Sequence, residues 1–204
     1  IYAVFWIIAG TILGLPLSMY VDFYREHAYG LSNLSLAGWF AEGGKGLLVS
    51  LIIMPWLITG LFSAVRKAGE RWWLYAGVVS FGVILLISMI APVFISPLFN
   101  DYKPLAEGPV KSAIFSLARA NQIPTDNVVY FDASKQTTRV SANVSGFAGT
   151  TQVSLNDNLL NNTSLPEIKA VMGHEMGHYV LNHGLRLTVY FSIVIIFGFW
   201  FVHK

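Results

Sequence analysis

The sequence predicts a mainly α protein, built of polytopic transmembrane helices that carry a small α+β insert. Three observations predict it. Hydrophobic residues make up 54% of the 204-residue chain and charged ones only 12%, about half the charge of a soluble domain. The apolar residues gather in four blocks free of Asp, Glu, Lys and Arg, at 1–21, 46–65, 72–100 and 187–202. Between the third and fourth blocks lies a stretch of ordinary soluble composition, in which strand and helix patterns alternate.

The same arithmetic excludes other classes. High hydrophobicity with a net charge of only +2 is the reverse of a disordered chain. That charge also gives no phosphate-neutralising face, so nucleic acid is not an expected partner. With no Cys there is neither a disulfide framework nor a thiolate metal site. Ile1 opens inside an apolar run with no basic leader, and Lys204 closes just past another; the expectation is the middle of a longer protein.

Each apolar block approaches the ~20 residues a helix needs to cross a ~30 Å hydrocarbon layer, where every backbone polar group must be paired internally. Pro16, Pro55 and Pro92 interrupt three of them, as kinks. Residues 1–100 are thus expected to hold three spans with their connectors. The 22–45 connector contains Gly43-Gly44-Lys45-Gly46, but a phosphate loop would need Gly at Trp39 and Ser or Thr at Gly46, so it reads as an interfacial link.

Residues 101–186 form the expected insert. A stripe of Ala113, Ile114, Leu117 and Ala118 between Pro109 and Asn121 predicts a helix. Residues 128–131 read as a short strand. Residues 139–145 and 150–155 read as a hairpin around Gly146-Phe147-Ala148-Gly149, ended by Asn156-Asp157-Asn158. Ser164-Leu165-Pro166-Glu167 matches a capping box and starts a helix that carries Ile168, Val171 and Met172. Residues 187–204 begin a further span, truncated at Lys204.

That last insert helix carries His174-Glu175-Met176-Gly177-His178. Two His at i and i+4 lie about 40° apart round the axis and ~6 Å apart along it. Both rings leave one face and can converge on a tetrahedral Zn2+, making His174 and His178 the metal candidates. Glu175, one step round, can take a proton from a water that the metal acidifies without itself ligating. This is the pattern of zinc-dependent peptide hydrolysis, and it makes the insert zincin-like and catalytic. Gly184 stands where a third His would sit in the longer version of the motif, and His183 falls one place short, off the ligand face. Capping accounts for Glu167 and the strand-ending turn for Asp157. The remaining ligand is expected to be a Glu on a later helix.

With these residues in place, the chain resembles the type I CAAX prenyl endopeptidases, integral-membrane zinc metallopeptidases, and their bacterial relatives most of all. The likeness runs through Tyr29-Gly30-Leu31-Ser32-Asn33, Phe94-Ile95-Ser96-Pro97-Leu98-Phe99 and Tyr102-Lys103-Pro104-Leu105. It continues through Ser134-Lys135-Gln136-Thr137-Thr138, Ser141-Ala142-Asn143 and Gly146-Phe147 to Gly173–His178. The resemblance implies seven spanning helices around an intramembrane chamber, of which this chain would carry the third to fifth, the insert and part of the sixth. It also implies that His174 and His178 hold zinc and that Glu175 is the base. The strand Ala142-Asn143-Val144 would pair with substrate backbone, although Asn143 reads equally as an ordinary polar strand residue. Where the family carries aromatic residues before Gly-Phe, this chain has Asn143-Val144-Ser145, which leaves selectivity for a prenyl group open.

The resemblance implies a multi-pass membrane location, the inner membrane in bacteria and the endoplasmic reticulum in eukaryotic relatives. Expected partners are membrane lipid and a peptide or lipidated protein cut near its C-terminus. Arg66, Lys67 and Arg71 would place their loop in the cytoplasm by the positive-inside tendency, whereas the resemblance puts the zinc segment on the cytosolic side; we adopt the latter. Two alternatives stay open. One is a membrane quality-control protease with no lipid requirement, and the other a non-catalytic scaffold that retains a metal site.

Overall fold

In the computed structural model, residues 1–146 and 151–204 are described. Four long helices carry the apolar blocks: α1 (Tyr2–Ala28), α2 (Leu36–Lys67), α3 (Gly69–Leu98) and α7 (His183–His203), each long and apolar enough to cross a membrane. All four run past the charge-free blocks at one end or both. At 32 residues, α2 extends about 48 Å, so it projects beyond the hydrocarbon layer or tilts within it. The 22–45 connector read from the sequence is therefore mostly helix. It carries Asp22, Arg25 and Glu26 on the end of α1, and on α2 an ion pair of Lys45 with Glu42 at 2.8 Å.

The prolines act locally. Beyond Pro16 and at Pro92 the helices widen into π-type turns at Met19–Arg25 and Ala91–Ile95. The chain stays helical through both prolines, and widenings of this kind bend a helix without ending it. Near Pro55 the Thr59 hydroxyl donates to the Pro55 carbonyl at 2.7 Å. Helices α3 and α7 pack closely because Gly77 has no Cβ: one placed there would lie 2.1 Å from Cγ1 of Ile196. Close backbone approach at a small residue is how membrane helices gain packing without a hydrophobic drive.

The insert is a four-stranded sheet with helices on one face. Its strands are β1 (Tyr102–Pro104), β2 (Asn127–Phe131), β3 (Ala142–Ser145) and β4 (Gln152–Asn156), in the order β1-β2-β4-β3. β1 and β3 are antiparallel to their neighbours, and β2 and β4 run parallel. The expected pairing of the third and fourth strands is present, while Phe147, Ala148 and Gly149 of its turn lie outside the described residues. Val128, Ala142, Val153 and Leu155 alternate onto one face. They meet Ile114 and Ala118 of α4 (Pro109–Ala120), Leu159 of α5 (Asp157–Asn162), and Ile168, Met172 and Met176 of α6 (Leu165–Val180).

Asn156-Asp157-Asn158 ends β4, as the sequence predicts, but not by the expected turn. It is instead the start of α5, with Asn156 as the N-cap. The fully buried Asn156 amide accepts from the N–H groups of Leu159 (2.9 Å) and Ser141 (3.0 Å) and donates to the Arg139 carbonyl (2.7 Å). These bonds also explain why Arg139 and Val140 leave the ladder and why Ser141 keeps only one backbone bond to Asn156. Asn156→Leu removes the acceptor of the buried Leu159 N–H and of the Ser141 N–H, while the Arg139 carbonyl keeps the Asn158 amide at 3.1 Å. At ~1–3 kcal/mol for an unpaired group, the intact protein is expected to lose about 2 kcal/mol or more. Thermal unfolding in detergent checks this.

A second feature was not legible from local pattern. Residues 30–33 clasp residues 134–138 of the insert. Ser32 bridges Thr137, the Thr137 and Thr138 hydroxyls donate to the Leu31 and Gly30 carbonyls at 2.7 and 2.9 Å, and the Asn33 amide donates to the Ser134 carbonyl at 2.8 Å. Arg139 and Glu26 add an ion pair at 2.7 Å. Two of the stretches that carry the family likeness thus meet in space, fixing the insert to the end of α1.

Candidate active site

Helix α6 starts at a tight cap. The Glu167 carboxylate accepts from the Ser164 N–H at 2.7 Å and from its hydroxyl at 2.6 Å. The hydroxyl and backbone hydrogen bonds from Ser164 hold Glu167 below the usual carboxylate range. Because that pKa is depressed, the cap contributes stability above the ordinary Glu pKa and loses it as pH falls through the folded-state value. Asp157 is occupied too, accepting from the Ser134 N–H at 2.9 Å and from its hydroxyl.

Ile168, Met172 and Met176 recur every four residues and bury one stripe of α6 against the sheet. The opposite face is exposed and carries His174 and His178, with Glu175 half-buried between the two faces. The rings converge as the spacing requires, with their Nε2 atoms 2.9 Å apart. Two imidazole nitrogens on a tetrahedral zinc, each at ~2.0–2.1 Å, stand about 3.3 Å apart. A ring movement of about 0.4 Å thus admits an ion between two lone pairs, and the donor set fits a nitrogen-binding divalent metal. Among the described residues no third His, Asp or Glu joins them in a group able to hold a metal.

The chain then breaks. Leu181 ends α6, Asn182 takes the left-handed conformation at φ 52°, and His183 begins α7. The turn brings His183 Nδ1 to 2.7 Å from Nδ1 of His178. His183 is thus off the face that holds the two Nε2 atoms, yet it touches His178 from behind. Helical spacing could not reveal this contact, because it depends on the left-handed residue.

Strand β3 packs against α6 through Ala142 and Val144 and is the outer strand of the sheet. The Asn156 N–H donates to the Ser141 carbonyl at 2.9 Å, which makes that pair hydrogen-bonded. By antiparallel alternation the pairs Asn143↔Ser154 and Ser145↔Gln152 are bonded as well. The backbone groups of Ala142 and Val144 therefore point to the outer edge, and the exposed Asn143 side chain projects from the face opposite the core.

The profile described as CAAX prenyl protease N-terminal, five membrane helices, matches residues 1–101, and that of peptidase family M48 matches residues 104–204. The chain belongs to peptidase family M48. This M48 chain is 30% identical to the uncharacterized metalloprotease YhfN of Bacillus subtilis, over 95% of its own length and 45% of the relative's. It is 33% identical to CAAX prenyl protease 1 of Saccharomyces cerevisiae, over 88% and 40%. The crystal structure of S. mikatae Ste24p superposes with a TM-score of 0.86 at 31% identity, over 95% of this chain and 46% of that one. The chain spans less than half the length of these relatives. M48 membership and four spanning-length helices make it an integral, multi-pass membrane protein.

Proposed function

We propose that this chain carries the core of an integral-membrane zinc endopeptidase. The reading rests above all on one observation: His174 and His178 converge on the exposed face of α6, the helix that packs against edge strand β3. The substrate is a peptide or lipidated protein at the membrane, cut near its C-terminus. The names of the S. cerevisiae and other relatives support a prenylated one.

His174 and His178 hold the ion through Nε2. Bound zinc supplies Lewis acidity that acidifies water and polarises a carbonyl. The outer backbone groups of Ala142 and Val144 add the substrate to the sheet as a further strand, and the exposed Asn143 side chain borders it. The Glu175 carboxylate takes a proton from the attacking water as the new C–O bond forms. It then gives that proton to the amide nitrogen as the C–N bond breaks.

Cleavage of farnesylated and unprenylated copies of one peptide by the intact protein in detergent tests the proposal. Cleavage of the farnesylated copy, abolished by a chelator and restored by zinc, is the expected result. Equal cleavage of both copies would replace the lipid requirement with a quality-control role. No chelator-sensitive cleavage would leave a non-catalytic scaffold. For the strand, Val144→Pro removes an outward N–H without taking a bond from the β3–β4 ladder. It is expected to raise KM about tenfold at unchanged zinc content, whereas Asn143→Pro breaks the ladder and lowers stability.

A further inference from the structure

From the contact behind His178, we propose that His183 is a positioning residue that fixes which nitrogen of His178 faces the metal. The inference rests on the zinc-site reading above. An imidazole that binds a metal through Nε2 must carry its proton on Nδ1, and a partner at that proton sets both tautomer and ring orientation. His178 has a neighbour at each nitrogen: His174 Nε2 at 2.9 Å on one side and His183 Nδ1 at 2.7 Å on the other. With His178 donating from Nδ1, His183 accepts on its own Nδ1 and carries its proton on Nε2. The ring centroids of His178 and His183 are 4.8 Å apart and their planes are inclined at 70°, so the contact is edge-on between nitrogens rather than a stack.

The backbone is shaped for this contact. Asn182 at φ 52° separates α6 from α7, and Asn is among the few non-Gly residues that take this conformation readily. A straight continuation would have put His183 at i+5 from His178, well round the helix. The break turns it back and joins the metal helix to the span that follows. His183 does not share the ion itself, because it meets His178 at the nitrogen away from His174.

The test compares His183→Leu with His183→Asn in the intact protein in detergent. Metal-free samples are titrated with zinc against a chromophoric chelator. The amide oxygen introduced by His183→Asn takes the place of Nδ1 and can accept the same proton. The expected result is a zinc Kd raised about 10–100-fold by His183→Leu and kept within about threefold by His183→Asn, with metal-free unfolding midpoints alike. Unchanged affinity in His183→Leu, or equal weakening in both variants, overturns the positioning role. His174→Ala, titrated alongside, separates this failure from that of the site. If the wild-type protein binds one zinc and His174→Ala does not, the zinc site stands whatever His183 does. A wild-type protein that binds no zinc overturns both.

Discussion

Glu175→Gln in the intact protein is expected to keep its metal and lose about 10²–10⁴-fold in kcat, the range that general acid–base catalysis contributes. Gln matches Glu in shape, so neither the helix nor the exposed His face next to it should move. What disappears is the ability to take a proton from water and return it to the leaving amine. Glu175 is half-buried on the flank of α6, one residue from His174, about 100° round the helix from it. It is therefore placed to reach a reacting group beside the ion without being drawn into the ligand set. Metal content by atomic absorption and turnover of one peptide, measured on the same sample, check both halves. Turnover within tenfold of wild type would remove Glu175 from the mechanism.

What could be read ahead of the fold follows from the range of the forces involved. The four spanning helices and the apolar stripe of α6 through Ile168 and Met172 depend on local periodicity, which any window of sequence displays. The convergence of His174 and His178 is likewise set by one helical turn. The capping box needs only Ser164 and Glu167, three residues apart. Features set by distant partners could not be read this way. Thr137 and Thr138 look like ordinary loop residues until their hydroxyls are seen on the carbonyls of residues 30 and 31. Asn156 ends β4 as its sequence suggests, but its bonds to Arg139, Ser141 and Leu159, which make it a helix cap and a bridge to the segment before β3, show only in the fold. The pairing of His183 with His178 depends on a single left-handed residue, a conformation that Asn permits but does not dictate. The overrun of α1 and α2 past the charge-free blocks has another cause. Absence of charge marks where lipid is, whereas helix continues wherever backbone bonds can be satisfied, including the watery side of the interface.

His174→Ala should remove the metal altogether under purification conditions. A zinc site of four ligands is worth about 10–16 kcal/mol at neutral pH, so each ligand carries roughly 2.5–4 kcal/mol, a factor on the order of 10²–10³ in Kd. His178 alone cannot make up the loss, since one imidazole without its partner offers no chelation across the helical turn. The fold has no comparable stake in His174. The ring is exposed and lies on the face of α6 opposite Met172 and Met176; among the described residues its one hydrogen-bonding contact is the Nε2 pairing with His178. The metal-free variant is therefore expected to unfold within about 0.5 kcal/mol of the metal-free wild type, as surface substitutions usually do. Zinc retained at one per chain after gel filtration in chelator-free buffer would show that His174 is not a ligand. A large drop in metal-free stability would show instead that the ring serves the packing of α6.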